Sequence, residues 1–387
     1  MITSVPFRIA LFYAAIFLVI GVHVPFWPVW LASRGLGPGE IGLVLSAATW
    51  IRALAPPFIA QFADQRGERK WLMVALAAAT WLAFLLYPLA FGFWPILAVT
   101  ILTAICFSAV LPLGENLAML NARDHGFDYG RVRLWGSITF IVAAAGAGRL
   151  LVGRNEDLIL WLILATLALT IAATAGLPGA PAPPTTRTRR SPILGLLSNR
   201  VFVIFLIAVG LIQASHAAYY GFATIHWRAA GLSDAVIGAL WAEGVVAEIV
   251  LFAFSGAVVR RLGPTRLMLL GAAAGIVRWG ILGSAVDLAV IAAVQWLHAF
   301  TFAATHLGAM HFLARAVPRE HSATAQTLYA ALGVGVLMGL AMIVSGEIYG
   351  AFAGAAFHVM AVMSLLGGLA GLTLARSWRG GQFLTIS

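Results

Sequence analysis

The stretch AQFADQRGERK (60–70) separates two apolar runs, and GAVVRRLGPTRL (256–267) separates two others. Three pairs of residues coincide when the first stretch is shifted by 196 positions: Gly67 with Gly263, Lys70 with Arg266, and Asp64 with Arg260. Glycine favours a turn in each stretch, and the basic residues favour the aqueous side of the membrane at that turn. The chain is therefore predicted to consist of two halves of related structure.

The composition excludes a water-soluble fold. The 387 residues are 61% apolar and 10% charged, with a mean hydropathy of +0.96, whereas soluble domains carry about 25% charged residues. A helix needs about 20 apolar residues to cross a hydrocarbon core of about 30 Å. The apolar run at 6–31 is too long for the core of a signal peptide, and we expect it to be retained as a span.

Twelve apolar runs are long enough to be helical spans, so the sequence predicts an all-α membrane protein. The predicted spans are 6–31, 40–60, 71–91, 95–121, 132–151, 158–177, 200–222, 234–259, 266–286, 288–313, 322–343 and 351–375. Cys106 is the single cysteine, and no metal-ligand spacing or phosphate-binding GxxxxGK[ST] motif occurs. No cofactor, metal or disulfide is therefore expected, and ATP is not expected to drive the protein.

Basic residues are concentrated in alternate connections between the predicted spans. One set of connections, with the C-terminal end, contains Arg66, Arg69, Lys70, Arg123, Arg131, Arg187, Arg189, Arg190, Arg200, Arg260, Arg261, Arg266, Arg315, Arg319, Arg376 and Arg379. The other set contains Arg34, Arg154 and Arg228. This bias predicts a multi-pass protein of the cell inner membrane with both termini in the cytoplasm. The net charge of +10 then reflects topology in a lipid bilayer, and no nucleic-acid partner is expected.

The connection PGAPAPPTTRTRRSPILGLLS (178–198) is rich in proline, threonine and arginine, so it is unsuited to a buried helix. We predict an N-terminal six-helix bundle at 1–177, a cytoplasmic linker at 178–199 and a C-terminal six-helix bundle at 200–387. Two repeated bundles about a central site are typical of transporters that expose the site to each side of the membrane in turn. Such a chain is expected to act as a monomer.

The segment ADQRGERK (63–70) resembles the inner-loop signature of the major facilitator superfamily, with Gln65 and Glu68 in place of basic residues. The resemblance implies twelve helices in two bundles related by a pseudo-two-fold axis. It also implies a gating turn formed by Asp64, Gly67, Arg69 and Lys70, in which Asp64 pairs with nearby cations or a helix end. A plain positive-inside turn is the alternative.

A narrower resemblance covers most of the chain. PFWPVWL (25–31), DYGRVRLWGSITF (128–140), EGVVAEIVLF (243–252) and WLHAFTFAATHLGAM (296–310) resemble the 3-phenylpropionate permease family, which is related to the lactose and nucleoside permease groups of proton symporters. The resemblance implies a permease without enzymatic activity. It matches substrate-binding residues of lactose permease to Glu115 and Arg133, and an arginine and a histidine of the coupling group to Arg278 and His298. Thr301 and Gln295 stand where that permease has an acid and a lysine.

Ionisable residues within spans are costly, so they tend to be paired and functional. Glu115 lies within predicted span 4, and we interpret it as a substrate-binding or proton-binding group, with a structural carboxyl as the alternative. Arg133, at the edge of span 5, is its expected partner, although it could extend to the headgroups instead. Trp135 either stacks on the substrate or anchors the helix at the interface.

In spans 8 and 9, Glu248 is the expected counter-charge for Arg278, and the pair is assigned to proton coupling, with a structural salt bridge as the alternative. His298, and Glu115 as a possible proton site, complete that predicted group. Polar stripes at helical spacing indicate a hydrated site. They comprise Gln213, His216, Tyr219 and Tyr220 on span 7, and Gln295, His298, Thr301, Thr305 and His306 on span 10. His23 precedes two prolines of span 1 and is a further candidate for the cavity.

These features favour proton-coupled uptake of a small organic solute, for which an aromatic carboxylate such as phenylpropionate is the candidate. Three alternatives stay open. The same fold can export drugs or metabolites in exchange for protons, and an arginine beside a glutamate can bind a sugar or nucleoside. A membrane sensor without transport activity is the third alternative.

Overall fold

The computed structural model describes residues 4–66, 69–179 and 193–382, and the regular structure in these ranges is helical. Ten segments within these ranges are each suited to one membrane crossing. They are Val5–Ser33, Pro38–Ala63, Arg69–Leu89, Phe93–His125, Tyr129–Leu151, Asp157–Ala175, Arg200–Ala229, Asp234–Ala253, Ser255–Leu282 and Leu288–Ala316. We number them spans 1 to 10.

An eleventh apolar segment, Ser322–Ser377, contains two crossings. Its 56 residues would extend about 84 Å as one straight helix, against a hydrocarbon core of about 30 Å. The helix is interrupted at Ala353–Ala355, where Ala353 has φ 47°. Span 11 therefore ends with the helix Leu337–Phe352, and span 12 is Ala356–Ser377. The predicted all-α fold with twelve spans is confirmed.

Local sequence explains where several spans begin. The side chains of Asp128, Asn199 and Asp287 accept hydrogen bonds from backbone N–H groups in the first turns of spans 5, 7 and 10. Glu40 accepts from the N–H of Gly37 at the start of span 2. These contacts satisfy donors that a helix N-terminus otherwise leaves without partners.

Predicted span 8, at 234–259, is interrupted before its predicted end. The helix ends at Ala253, and a new helix starts at Ser255 because the N–H of Phe254 bonds to Leu251 three residues back. The predicted turn at 256–267 forms at Gly263, whose φ of 72° is left-handed and is followed by Pro264. The corresponding Gly67 lies outside the described residues.

Several spans are interrupted within their apolar length. Span 2 consists of Pro38–Leu54 and Pro56–Arg66, with Ala55 between them, and span 4 is interrupted at Ala109. Span 10 contains a π-helical turn at Ala299–Ala304. Such turns are frequent at functional sites. Span 1, in contrast, continues as helix through Pro25 and Pro28.

The described chain divides into two compact units. The first holds the described residues up to 179 together with 227–242, and the second holds 193–226 and those from 243 onward. In the first unit, span 1 packs on spans 5 and 6, and span 3 packs on spans 4 and 6. In the second, span 7 packs on spans 11 and 12, and span 9 packs on spans 10 and 12. The same packing pattern in each unit agrees with the internal repeat. The predicted linker at 178–199 falls largely at 180–192, outside the described residues.

Each unit has its own apolar core. In the first unit, Phe12, Ile16 and Met73 pack with Leu113 and Leu117 of span 4. The core of the second unit includes Phe205, Ile212, Phe312, Leu313 and Tyr329. These cores fix the helices that carry the polar residues described below.

Close packing of span 9 on span 10 depends on Gly271. A Cβ atom at this position would collide with the Thr305 hydroxyl and lie 2.9 Å from the Phe300 carbonyl oxygen, within the π-helical turn. We expect Gly271→Val to lower the melting temperature of the detergent-solubilised protein, because overpacking costs about 1–3 kcal/mol and here involves backbone.

The matched control is Gly280→Val on the same span, where a Cβ would meet no atom within 4 Å. Thermal unfolding followed by size-exclusion fluorescence compares the two variants. Equal losses in both would contradict the close packing at Gly271.

Candidate functional site

A chain of polar contacts joins spans 8, 9 and 10 in the second unit. The Nη1 atom of Arg278 lies 2.7 Å from Nδ1 of His298, and Nε2 of His298 lies 2.8 Å from Oε1 of Glu248. Glu248 and His298 are largely buried, and Arg278 is completely buried. The sequence predicted a direct pair of Glu248 and Arg278. In the structure, the imidazole of His298 lies between them.

The chemistry of the three side chains fixes the protonation of His298. A guanidinium can only donate hydrogen bonds, so Nδ1 of His298 must accept. Nε2 therefore carries the hydrogen and donates it to the Glu248 carboxylate. The imidazole is neutral in this arrangement, and the guanidinium and the carboxylate are the two charged ends of the chain.

A second branch extends from Arg278 to span 7. Nη1 also donates to the Thr301 hydroxyl at 3.2 Å, and that hydroxyl lies 3.0 Å from Nε2 of His216. Nδ1 of His216 lies 3.0 Å from the carbonyl oxygen of Gln213, which can only accept. Nδ1 of His216 therefore carries a hydrogen and donates it to that carbonyl, while its Nε2 is within hydrogen-bond distance of the Thr301 hydroxyl, which can donate or accept.

The other side of Arg278 contacts Gln295 and two aromatic rings. Nη2 donates to Oε1 of Gln295 at 2.6 Å, and the Gln295 amide lies within 3.3 Å of the Tyr219 hydroxyl. The guanidinium carbon lies 4.6 Å from the ring centre of Tyr219 and 4.5 Å from that of Trp279. These contacts compensate for removing the cation from water. Tyr219 was predicted as a member of the polar stripe on span 7, whereas Trp279 was not predicted.

The structure brings together most of the residues predicted on spans 7 to 10. Gln213, His216, Gln295, His298, Glu248 and Arg278 belong to one buried network. Tyr220 joins it by stacking on His216, with ring centres 5.7 Å apart. His306 lies elsewhere and contacts the Tyr329 hydroxyl of span 11 at 3.2 Å.

Glu115 and Arg133 form an ion pair in the first unit. Nε of Arg133 lies 3.4 Å from Oε1 of Glu115, with the two side chains 30% and 38% exposed respectively. The guanidinium carbon lies 4.4 Å from the ring centre of Phe17 and 5.3 Å from that of Tyr13. The pair is thus accessible yet held by aromatic rings of span 1.

Trp135 is not part of this pair. It is 51% exposed and lies two residues beyond Arg133, which turns it about 200° around the helix. Its exposed neighbours at helical spacing are Leu134, Ile138 and Val142. This apolar stripe is the environment expected for an anchor at the membrane interface.

His23 lies beside a cavity of about 290 Å³ in the first unit. Its ring stacks on Trp27, with ring centres 5.4 Å apart, and meets Phe84 edge-on. Arg52 of span 2 also lines the cavity. Arg52 was not among the predicted residues, although, like Glu115, it is an ionisable residue within a predicted span, here 40–60.

The gating turn is described in part. Arg69 is buried and donates from Nη1 to Oδ1 of Asn116 at 2.8 Å, next to Glu115 on span 4. Lys70 lies over the ring of Trp71. Gly67 is outside the described residues, as are the contacts of the Asp64 side chain, so the proposed latch at Asp64 stays a prediction.

Ion pairs cluster at the end of the spans predicted to face outward. Arg228 binds Glu156 at 3.0 Å and Asp234 at 2.6 Å, and Arg34 pairs with Asp157. All five residues belong to the first unit. Glu156 and Asp234, which lie at the starts of spans 6 and 8, therefore serve as counter-charges for Arg228.

Two repeated units of membrane-spanning helices, each with ionisable groups within the spans, are typical of membrane transporters. The model of the MFS_1 like family matches residues 7–360, and the chain belongs to this family of the major facilitator superfamily. The predicted superfamily is confirmed.

Comparison with individual proteins agrees with this assignment. The chain is 35% identical over 367 residues to a probable 3-phenylpropionic acid transporter of Escherichia coli, covering 92% of this chain and 94% of the relative. It is 26% identical over 374 residues to a maltose permease of Geobacillus stearothermophilus, covering 95% and 94%. The crystal structure of the nucleoside transporter NupG (D323A mutant) superposes with a TM-score of 0.87 at 16% identity, covering 96% of this chain and 100% of that one. These matches are transporters, in agreement with the prediction that the protein is not an enzyme.

The charged ends of the buried network should depend on each other for stability. Arg278→Met leaves the Glu248 carboxylate without its cation, and breaking a buried pair costs about 3–5 kcal/mol. We expect the double variant Arg278→Met/Glu248→Gln to melt at a higher temperature than Arg278→Met alone, because the second change removes the uncompensated charge. Melting of purified protein measures this coupling, and losses that simply add would contradict it.

Proposed function

We propose that this transporter is a proton symporter that takes up a small aromatic carboxylate by alternating access. The observation that carries the coupling is the buried chain from Glu248 through His298 to Arg278. The relative described as a probable 3-phenylpropionic acid transporter supports the substrate class. In this proposal the transporter works as a monomer in the cell inner membrane, with both termini in the cytoplasm.

Glu248 is the proposed proton-binding group, because it is the acidic end of the chain. Protonation would neutralise its carboxylate and leave the positive charge of Arg278 uncompensated. An uncompensated charge in a low-dielectric interior is unfavourable, so binding of an anion elsewhere in the protein would offset it. Uptake of a proton together with a carboxylate is also electrically neutral, which favours passage of the pair through an apolar bundle.

His298 connects the two charges without carrying one itself. Its neutral ring accepts from Arg278 and donates to Glu248. A proton placed on Nδ1 would set two donors against each other at 2.7 Å. His298 therefore disfavours a positive charge of its own while Arg278 stays in place, and this supports Glu248 as the titrating group.

Glu115 and Arg133 are the proposed polar contacts for substrate in the first unit. Both are accessible, and the guanidinium is oriented by Phe17 and Tyr13. The same pair suits the hydroxyl groups of a sugar, so a sugar or nucleoside substrate is an alternative that the maltose permease relative supports. His216, Gln213, Gln295 and Tyr220 are the proposed substrate contacts in the second unit.

Alternating access requires contacts that close each end in turn. Asp64, Gly67, Arg69 and Lys70 are the proposed inner gate. The cluster of Arg228 with Glu156 and Asp234 is the proposed outer contact, because its three side chains pair at the predicted external end. Transport would break and remake these ion pairs.

The direction of proton movement tests symport against export. Liposomes with the reconstituted protein and internal pyranine receive 3-phenylpropionate outside, with no imposed pH gradient. Symport predicts internal acidification that an ionophore removes, and protein-free liposomes correct for diffusion of the undissociated acid. Protein-dependent alkalinisation would favour the antiporter, and no protein-dependent change with 3-phenylpropionate, maltose or a nucleoside would overturn the proposal.

Glu248→Gln should separate substrate exchange from proton coupling. Glutamine keeps an oxygen that can accept from Nε2 of His298, but it cannot release a proton near neutral pH. We expect this variant to lose proton-driven accumulation and to retain counterflow of labelled substrate against unlabelled substrate. Both activities are measured in the same liposomes.

The control is Glu243→Gln on the same span, which removes an acid outside the network. It should keep proton-driven accumulation. Proton-driven accumulation by Glu248→Gln at the wild-type level would exclude Glu248 as the coupling group.

A further inference from the structure

The cavity in the first unit is suited to a small ligand. It measures about 290 Å³ and is lined by spans 1 to 4 and 6. This volume lies at the lower end of the range of ligand pockets, about 300–1,000 Å³. A single-ring compound fits it better than a disaccharide.

Arg52 places a positive charge in this cavity near the middle of the membrane. It lies 14 residues after the start of span 2 at Pro38 and 11 before its end at Ala63, or about 21 Å and 16 Å along a helix. It donates a long hydrogen bond from Nη2 to the Thr49 hydroxyl at 3.4 Å. Within the described ranges, Arg52 has no ion pair.

The interruption of span 2 adds to the polarity at this point. Arg52 lies in the last turn of the helix that ends at Leu54, and Pro56 and Pro57 follow. Neither proline has an N–H, so neither can bond to the carbonyl four residues back, on Arg52 or Ala53. Discontinuous helices at membrane depth are a recurrent feature of binding sites in transporters.

Arg52 differs from the other two arginines at membrane depth that the structure describes in detail. Arg133 is paired with Glu115, and Arg278 is completely buried within its network. Arg52 is accessible, and none of the described residues that line its cavity is acidic. The cavity therefore has an excess of positive charge that an anion would balance.

The hydroxyl groups that line the cavity are already hydrogen-bonded. The hydroxyls of Thr80, Thr103 and Ser108 donate to backbone carbonyls of their own helices. The Tyr87 hydroxyl lies 3.0 Å from that of Thr100. Arg52 thus has the largest number of donors left for a ligand, and a guanidinium can bind both oxygens of a carboxylate.

Aromatic rings form the apolar part of the site. His23 stacks on Trp27, and Phe84 and Tyr87 pack edge-on or tilted against Trp27 at 5.6 and 4.7 Å between ring centres. All four line the cavity. Such a cluster favours an aromatic ring over an alkyl chain, because rings gain edge and stacking contacts beyond simple burial.

We propose that Arg52 binds the carboxylate of an aromatic monocarboxylic acid in this cavity, while His23, Trp27, Phe84 and Tyr87 contact its ring. Identifying this ligand with the transported solute rests on the function proposed above. The site itself stands on the cavity, the accessible cation and the ring cluster. It adds Arg52 to the binding residues and makes the first unit the source of selectivity for an acid.

Equilibrium binding to purified protein in detergent, without any gradient, tests the site. The probes are 3-phenylpropionate, its neutral amide and hexanoate, measured by calorimetry. We expect the amide to bind about 10- to 100-fold more weakly than the acid, the loss associated with hydrogen bonds to a charged group. Hexanoate should also bind more weakly, and equal binding of hexanoate would indicate a site for fatty acyl anions instead.

Variants then test whether Arg52 causes the preference for the acid over its amide. Arg52→Gln should abolish the difference between acid and amide, and Arg52→Lys should restore part of it. Arg149→Gln is the matched control, because it removes one positive charge at an exposed position outside the cavity lining. Melting curves verify that each variant is folded.

The possible results separate this site from proton coupling. Binding of 3-phenylpropionate that is unchanged in folded Arg52→Gln overturns the site and leaves the symport proposal intact. Tight binding that depends on Arg52, without proton-driven uptake, supports the site and overturns the coupling. Equal affinity of wild-type protein for acid and amide also overturns the site and requires no variant.

Discussion

A charged side chain within an apolar bundle must find its hydrogen-bond partners inside the protein. Arg278 illustrates this constraint, because span 10 accepts hydrogen bonds from both terminal nitrogens of its guanidinium and aromatic rings of spans 7 and 9 pack against it. The packing of span 9 on span 10 follows from it, since Gln295, His298 and Thr301 must reach Arg278 at hydrogen-bond distance. The proposed coupling uses the same contacts, so stability and transport depend on one set of atoms.

The three arginines at membrane depth represent three degrees of compensation. Arg278 is surrounded by protein, Arg133 has an acid and two rings, and Arg52 has a long hydrogen bond to a hydroxyl. The less a buried charge is compensated by protein, the more a ligand of opposite charge gains by approaching it. The differences in compensation support different roles for the three residues. Arg278 is an internal charge held by the protein, and Arg52 is the arginine best placed to bind a ligand.

Much of the architecture could be predicted because the membrane imposes strong regularities. Apolar length predicted the twelve spans, and the repeat around Gly67 and Gly263 predicted two related units. The pairing of Glu115 with Arg133 was also predicted, since resemblance supplied both positions. The interruption at Phe254 was missed because hydropathy does not change there.

Other features depend on tertiary contacts that no local pattern specifies. The position of His298 between Arg278 and Glu248 requires the relative rotation of three helices. Trp135 and Arg133 are close in sequence but lie on different sides of span 5, which helical spacing alone would have indicated. Arg52 is matched by no motif of the resemblance, and only its position within a span distinguishes it in the sequence.

The burial of Arg278 also has a consequence for the synthesis of the protein. Ser255–Leu282 has the lowest hydropathy of the candidate segments in the described residues, at 1.3, and the charge of Arg278 near its end adds to the cost of insertion. Glu248 precedes it in the chain, but Gln295, His298 and Thr301 are translated later. Span 9 alone is therefore a poor substrate for the translocon, and its stable insertion should await the arrival of span 10, so that the two enter the bilayer as a helical hairpin.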